Sequence, residues 1–308
     1  MKSKAFSSRK MKMTVLASGH GWHIQDLHRA AIEHDIQLHT ALFQQLSLDM
    51  LVDCNSLQVI HANGHRLNDQ DAILVRMMPP AGLEKVVFRM DMLHRLSESG
   101  MQIANPPKVI EMAVDKALSL ARLSAAGINV PPTWVGESVE DAMIAFQKMS
   151  GDVICKPIFG SEGRGLIRIT DYEQAWRVFQ SLSQIGSVIY LQKFIKNNGS
   201  DIRVMVLGDE IIASMKRIAK EAEWRANVAQ GARAEPIRNL PNEIKDIAIR
   251  TAKEVGSVIL GVDFIYDLEG RIYLIEINGV PGWRAISDVC QIDIAAEWLL
   301  KMKSGICL

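Results

Sequence analysis

The stretch that most restricts the fold of this 308-residue chain is GVDFIYDLEGRIYLIEINGVPGW, from Gly261 to Trp283. Val262, Phe264 and Tyr266 alternate with Asp263, Ile265 and Asp267, the turn falls on Leu268-Glu269-Gly270, and the return run Ile272–Asn278 ends at Gly279, Pro281 and Gly282. Alternation on both sides of a glycine turn predicts a β-hairpin. Side chains two apart on a strand share a face, so Glu276 and Asn278 point the same way, about 7 Å apart, and Asp263 on the partner strand can face the same spot. Two acids and an amide within apolar runs need a compensating partner, because an unpaired buried charge is strongly destabilising. Carboxylate and amide oxygens are the ligands magnesium takes. The alternative is an ordinary hairpin with solvated acids.

Composition narrows the class. The chain is 48% hydrophobic with a formal net charge of zero, which suits two or three α/β units and excludes disorder. A balanced charge argues against a nucleic-acid partner. No apolar run reaches the ~18 residues of a membrane span, and the basic start precedes only a short apolar segment, Val15 to Ala17, too little for a secretory signal. Residues 1–12 are expected to form a flexible tail. Cys54, Cys155, Cys290 and Cys307 show no CxxC spacing, so they are expected to be reduced thiols in a cytoplasmic protein.

Thr14–Ala17 predicts a first strand, followed by Gly19-x-Gly21 and a helix from Ile24 to His34. Ile24 stands where a dinucleotide loop needs its third glycine, and no acid follows at ribose distance, so NAD is excluded. His20-x-x-His23 lacks the acid and spacing of a zinc site, and both histidines are expected in a loop. The strand Ala72–Val75, running into Arg76, and the helix Phe88–Ser99 complete a small β/α unit with a parallel sheet over the first ~110 residues. Further on come a helix Glu111–Ala126, the linker Asn129–Thr133, the helix Ser138–Lys148 and the strand Val153–Pro157. A glycine-rich turn, Phe159–Gly165, then lies between strands, where bare N–H groups can wrap a phosphate. It is not a Walker loop, since no Lys-Ser/Thr follows its last glycine.

In chain order the polar positions are Lys116, Lys156, the Gly160–Gly165 loop, Asp201 and Arg203, Arg217, Arg225 and Asn227, then Asp263, Glu276 and Asn278. Cations and bare amides come first and metal-type oxygens last, the inventory for holding a triphosphate with magnesium.

On these motifs the chain resembles the RimK-like branch of the ATP-grasp ligases over roughly Asn105 to Ile286. The residues that carry the likeness are Asp115-Lys116, KPxxGSxGxG from Lys156 to Gly165, DIR at 201–203, RxN at 225–227 and GVD…EIN. The resemblance implies an α/β ATP-grasp fold with a pre-ATP-grasp domain (13–110), a central lid (111–190) and a C-terminal ATP-grasp domain (191–308), with ATP between the last two. Lys116 and Lys156 would then contact phosphates, and Gly160, Ser161, Glu162, Gly163, Arg164 and Gly165 would close over them. Gln192, Lys193, Phe194 and Ile195 would form the adenine hinge through their backbone, although Lys193 stands where an acid is usual. Asp201 would meet ribose. Asp263, Glu276 and Asn278 would bind Mg2+ or Mn2+. Arg203, Arg217, Arg225 and Asn227 would line the phosphate and acyl end, with Arg203 and Arg217 stabilising the transferring phosphoryl.

The implied chemistry is amide formation through an acyl phosphate. The segments around Arg89–Leu96, Trp224–Ala232 and Asn278–Arg284 resemble the ligases that add L-glutamate to tetrahydromethanopterin-type or deazaflavin cofactors. Trp283 would either stack on a flat substrate or serve the core. Two other readings stand beside this one: a ligase acting on a protein C-terminus or making a small peptide, and a non-catalytic ATP-binding module. The expected partners are a small-molecule carboxylate and L-glutamate or another amine, in a homodimer or homotetramer. On this metal assignment Glu276→Ala and Asp263→Asn are both expected to leave the fold intact.

Overall fold

The computed structural model describes residues 9–50, 59–160, 165–220 and 231–305. Its first sheet is parallel, ordered β2-β1-β6-β7. It is formed by β1 (Met11–Ala17), β2 (Ile36–Leu42), β6 (Ala72–Val75) and β7 (Gln102–Ala104), with α1 (Trp22–Glu33) after β1 and α2 (Leu83–Glu98) before β7. A small antiparallel sheet of β3 (Leu46–Asp49), β4 (Val59–Ala62) and β5 (His65–Arg66) sits between β2 and β6. The run MKMTVLA is buried on both faces of β1, as a central parallel strand requires. Met13, Val15 and Ala17 face one core and Leu16 the other. The strand starts at Met11, so Met11 and Lys12 belong to the sheet and not to a tail.

The expected helix Glu111–Ala126 is two helices, α3 (Pro107–Val114) and α4 (Lys116–Ala125). Asp115 breaks it with φ −88° and ψ 99°, and its carboxylate accepts the N–H groups of Ala117 and Leu118, both at 2.9 Å. Aspartate caps an N-terminus better than it serves a helix interior. Both helices pack in the core beneath the C-terminal sheet, through Val109, Met112, Leu120 and Leu123. Lys116 therefore rides on that core, although the sequence expectation assigned 111–190 to the central unit.

The central antiparallel sheet is ordered β10-β9-β11-β8. Its strands are β8 (Thr133–Gly136), β9 (Val153–Cys155), β10 (Ile167–Ile169) and β11 (Ile189–Lys193). Helices α5 (Val139–Lys148) and α6 (Tyr172–Gln184) cover one face through Phe146 and Phe179.

The C-terminal sheet, β14-β13-β12-β15-β16, is antiparallel. It comprises β12 (Ser200–Leu207), β13 (Glu210–Ile218), β14 (Arg233–Pro236), β15 (Ile259–Tyr266) and β16 (Ile272–Asn278), with α7 (Asn242–Val255) before β15. The period of two divides β12 cleanly. Ile202, Val204 and Val206 enter the core shared with α3, α4 and α7, while Met205 and Leu207 enter the core shared with the first sheet. Asp201 and Arg203 continue that second face. The chain ends with α8 (Arg284–Cys290) and α9 (Ile294–Lys303), and Trp298, Leu299 and Met302 of α9 pack with Leu27 and Ala31 of α1.

One buried amide fastens the end of the first sheet to the C-terminal sheet. Asn105 accepts from the N–H groups of Val258 (2.7 Å) and Ile259 (3.0 Å), and donates to the carbonyls of Ile259 (2.6 Å) and Gly279 (2.5 Å). Cys155 and Cys290 are free thiols, while Cys54 and Cys307 lie outside the described residues. Among the described residues no helix is long and apolar enough to cross a membrane.

Candidate active site

Strand register assembles the site. Arg217 of β13 is the Cα partner of Asp201 on β12, Arg203 of β12 that of Asp263 on β15, and Asp263 that of Glu276 on β16. Asp201 and Arg203 are two apart, as are Glu276 and Asn278, so these side chains line one face in a row of alternating charge.

Four of them form a closed ionic cluster. Arg217 donates to both Asp201 oxygens, at 2.5 and 2.9 Å. Arg203 makes the same fork with Asp263, and Arg217 Nη2 lies 3.1 Å from the same carboxylate. The Asp263 side chain is 4% exposed. Burial alone would raise its pKa, yet the guanidiniums of Arg203 and Arg217 outweigh burial and hold it below the usual carboxylate range. Burial pushes Asp201 up to about 6 against the pull of Arg217. Asp201 and Asp263 are thus already paired with arginines, and a ribose contact by the first or a metal bond by the second would use the carboxylate lone pairs that the guanidiniums leave. Glu276 and Asn278 are half-buried with no described ion pair, and Nδ2 of Asn278 is a buried atom without a hydrogen-bond partner among the described residues.

The lysines come in from two other elements. Asp115 sets Lys116 at the first position of α4, and its ammonium donates to the carbonyls of Ile158 (3.3 Å) and Gly160 (2.5 Å). Lys156 follows β9 and donates to Oε1 of Gln192 at 3.1 Å, with its ammonium 5.0 Å from the centre of the Tyr190 ring. Burial lowers the pKa of both, that of Lys156 to about 8, and the carboxylate of Glu276 opposes the shift at each. Lys116, Lys156 and Glu276 therefore share one electrostatic centre.

The glycine loop begins at Gly160 and ends at Gly165, with φ of 149° and 75°, conformations in which a side chain is strained. Ser161, Glu162, Gly163, Arg164, Arg225 and Asn227 lie outside the described residues. In the expected hinge, the Lys193 N–H donates to the Pro132 carbonyl (2.8 Å) and the Phe194 N–H to that of Asp152 (3.0 Å). The next N–H, of Ile195, has no backbone acceptor among the described residues. Sequence reasoning gave Gln192 a backbone role and missed its side chain, which bridges Lys156 and Thr133.

Trp283 serves the core: it is fully buried, and its indole N–H donates to Asp26 at 2.8 Å. His23 lies against it, accepting its backbone N–H at 3.2 Å, while His20 is exposed. Among the described residues no group of three or more His, Cys, Asp or Glu side chains is poised to hold a metal, which leaves His20 and His23 without a third ligand.

A family model described as the RimK-like ATP-grasp domain matches residues 113–302. The chain is 31% identical over 303 residues to a probable α-L-glutamate ligase of Mannheimia succiniciproducens, covering 98% of this chain and 95% of that protein. It is 30% identical over 267 residues to the tetrahydromethanopterin:α-L-glutamate ligase of Methanosarcina acetivorans, covering 78% and 82%. Among solved structures it is similar to the ATP-grasp ligase PsnB complexed with minimal precursor (TM-score 0.77, 20% identity, 96% and 99% covered), a ligase also solved with Mg and ADP. With the match running through the lysines, the ionic row and the hairpin, this chain belongs to the RimK-like ATP-grasp family of ATP-dependent ligases.

Proposed function

We propose that this chain adds L-glutamate to a carboxylate of a tetrahydromethanopterin-type cofactor, with ATP and magnesium. The observation that carries the reading is the convergence of Lys116, Lys156 and Glu276 beside the row Arg217-Asp201-Arg203-Asp263. The named activity of the Methanosarcina relative supports the substrate class.

In the proposed reaction a carboxylate oxygen of the substrate attacks the γ-phosphorus of ATP and ADP leaves, giving an acyl phosphate. The amine then attacks the acyl carbon, phosphate leaves, and the amine proton passes to solvent. Lys116 and Lys156 supply the charge that holds the phosphates, and the Ile195 N–H is the hinge donor available to adenine. The residues 133–193 act as the lid over the nucleotide. Arg203 and Arg217 stand ready beside the transferring group, held in place by the aspartates.

The donor set suits a hard divalent cation. Glu276 offers carboxylate oxygens free of described ion pairs, the amide oxygen of Asn278 would be a second oxygen ligand, and its buried Nδ2, without a partner among the described residues, is a donor suited to a phosphate oxygen beside the ion. Asp263, on the neighbouring strand, would share its carboxylate between the arginines and the ion. Magnesium would neutralise phosphate charge and orient the reacting oxygens.

Mass spectrometry of a reaction containing Mg-ATP, L-glutamate and a panel of pterin, deazaflavin and peptide acceptors tests this. One added glutamate on the pterin is expected, with one ADP released per amide. Product only on a peptide acceptor would instead establish the protein- or peptide-directed alternative.

A further inference from the structure

The first sheet carries a buried charge to which the proposed reaction gives no role. In the first sheet the order β2-β1-β6-β7 reverses direction between β1 and β6. Open α/β sheets bind ligands outside the carboxyl ends of their strands at such a reversal. At that point stands Arg76, immediately after β6, its own N–H bonded to the carbonyl of Leu16 on β1 (2.8 Å). The residue is 6% exposed. Nη1 donates to the Pro281 carbonyl at 2.9 Å, and the guanidinium lies 4.5 Å from the Trp283 ring centre. No acidic side chain pairs with it among the described residues. Burial lowers its pKa only to about 9, so it stays charged at neutral pH. A buried guanidinium without a counter-charge is costly, and an anionic ligand removes the cost.

A second feature meets it there. Helix α1 starts at Trp22, and its N-cap, Gly21, offers no side chain to the free N–H groups of the first turn. Those groups and the partial positive charge of the helix end attract an anion. Trp22 and His23 of that turn lie against the same Trp283 ring as Arg76, with centroid separations of 6.5 and 4.6 Å. Arg284, exposed and without a described acidic partner, covers Trp22 at 5.4 Å. The acid on this side, Asp26, is engaged by Arg29 (2.7 Å) and the Trp283 indole (2.8 Å). Gly19 and Gly21 have open space where a Cβ would stand. Pro281, which Arg76 holds, is three residues from Asn278, so their Cα atoms lie no more than about 11 Å apart.

We propose that Arg76, the N-terminal turn of α1 and Arg284 form a carboxylate receptor that holds the non-reacting carboxylates of an amino-dicarboxylate substrate. The proposal rests on the ligase reading above and adds the place where the amino acid docks.

The test is calorimetric titration of L-glutamate into the full chain saturated with magnesium and a non-hydrolysable ATP analogue. Arg76→Gln is expected to weaken L-glutamate at least tenfold and leave the affinity for the nucleotide analogue unchanged. Gly21→Asp supplies a second arm that does not depend on the fold of the first. Its carboxylate caps the helix and occupies the anion's N–H groups, so melting temperature stays equal or rises while L-glutamate binding falls several-fold. Wild-type glutamate affinity in folded Arg76→Gln, or in Gly21→Asp, overturns the receptor. If the wild type binds succinate or another carboxylate instead of glutamate, and both variants weaken it, the receptor stands and the glutamate reading fails. A wild type that binds no carboxylate overturns the receptor outright.

Discussion

Replacing Asp263 with asparagine is the sharpest probe of the ionic row. The cluster Asp201, Arg217, Asp263 and Arg203 sums to zero charge, and Asp263 is its most buried acid, with a side chain 4% exposed. Asp263→Asn keeps the shape but leaves two buried guanidiniums sharing one carboxylate. Removing one partner of a buried pair costs about 3–5 kcal/mol. Because the amide oxygen still accepts one hydrogen bond, the lower end, about 3 kcal/mol, is expected. For a chain of this size that is a fall in melting temperature of roughly 5 °C, read by differential scanning fluorimetry. The sequence-based expectation of an intact fold therefore changes for this residue, for a reason only strand register reveals. The companion variant Arg203→Met/Asp263→Asn returns the remaining pair to zero charge and is expected to recover part of the loss, giving a favourable coupling in a double-mutant cycle. An Asp263→Asn protein that melts within 1 °C of wild type, with no such coupling, would refute the argument that these four groups support one another.

Three further outcomes follow from the geometry. Glu276→Gln touches no described ion pair, so stability changes by less than about 1 kcal/mol, while ADP release with substrate falls at least a hundredfold; near-normal turnover would sink the metal assignment. Lys156, with a pKa lowered to about 8, loses its charge as pH rises through that value, so nucleotide affinity weakens above it and Lys156→Arg flattens the profile. Since the folded state holds this proton less tightly than the unfolded one, the same lysine makes stability rise with pH between about 8 and the ordinary 10.5. Asn105→Ala strips partners from four buried backbone groups and is expected to cost about 3–5 kcal/mol in urea unfolding; a loss under 1 kcal/mol contradicts the fastening role.

The hairpin of β15 and β16 was legible in the sequence because a period of two with a glycine turn has few other solutions. So were β1, α1, β6, α5 and β9, each a short apolar or amphipathic run with clear ends. The break at Asp115 was not, since apolar spacing runs on through it and only the cap's hydrogen bonds end α3. Pairing of Asp263 with Arg203 and Arg217 was illegible for another reason: which residues face each other across strands depends on register between segments far apart in sequence. Local pattern likewise does not say which sheet a helix covers, so α4 was assigned with the central unit though it packs beneath the C-terminal sheet. Arg76 could be read only as the charged end of an apolar strand. Its lack of an acid partner is a fact of packing.

The contact between α1 and α9 has a consequence for how the chain is made. Arg29 clasps Asp293 with two 2.8 Å hydrogen bonds across 264 residues of sequence, and the apolar faces of the two helices share one core. At ~5–20 residues per second, a ribosome needs roughly 13–50 s to travel that distance. Throughout that interval Leu27, Ala30 and Ala31 have strands to lean on but not the helix that finally covers them. The core of the first sheet is thus closed by the last helix, which makes loss of α9 a defect of the opposite end of the sequence.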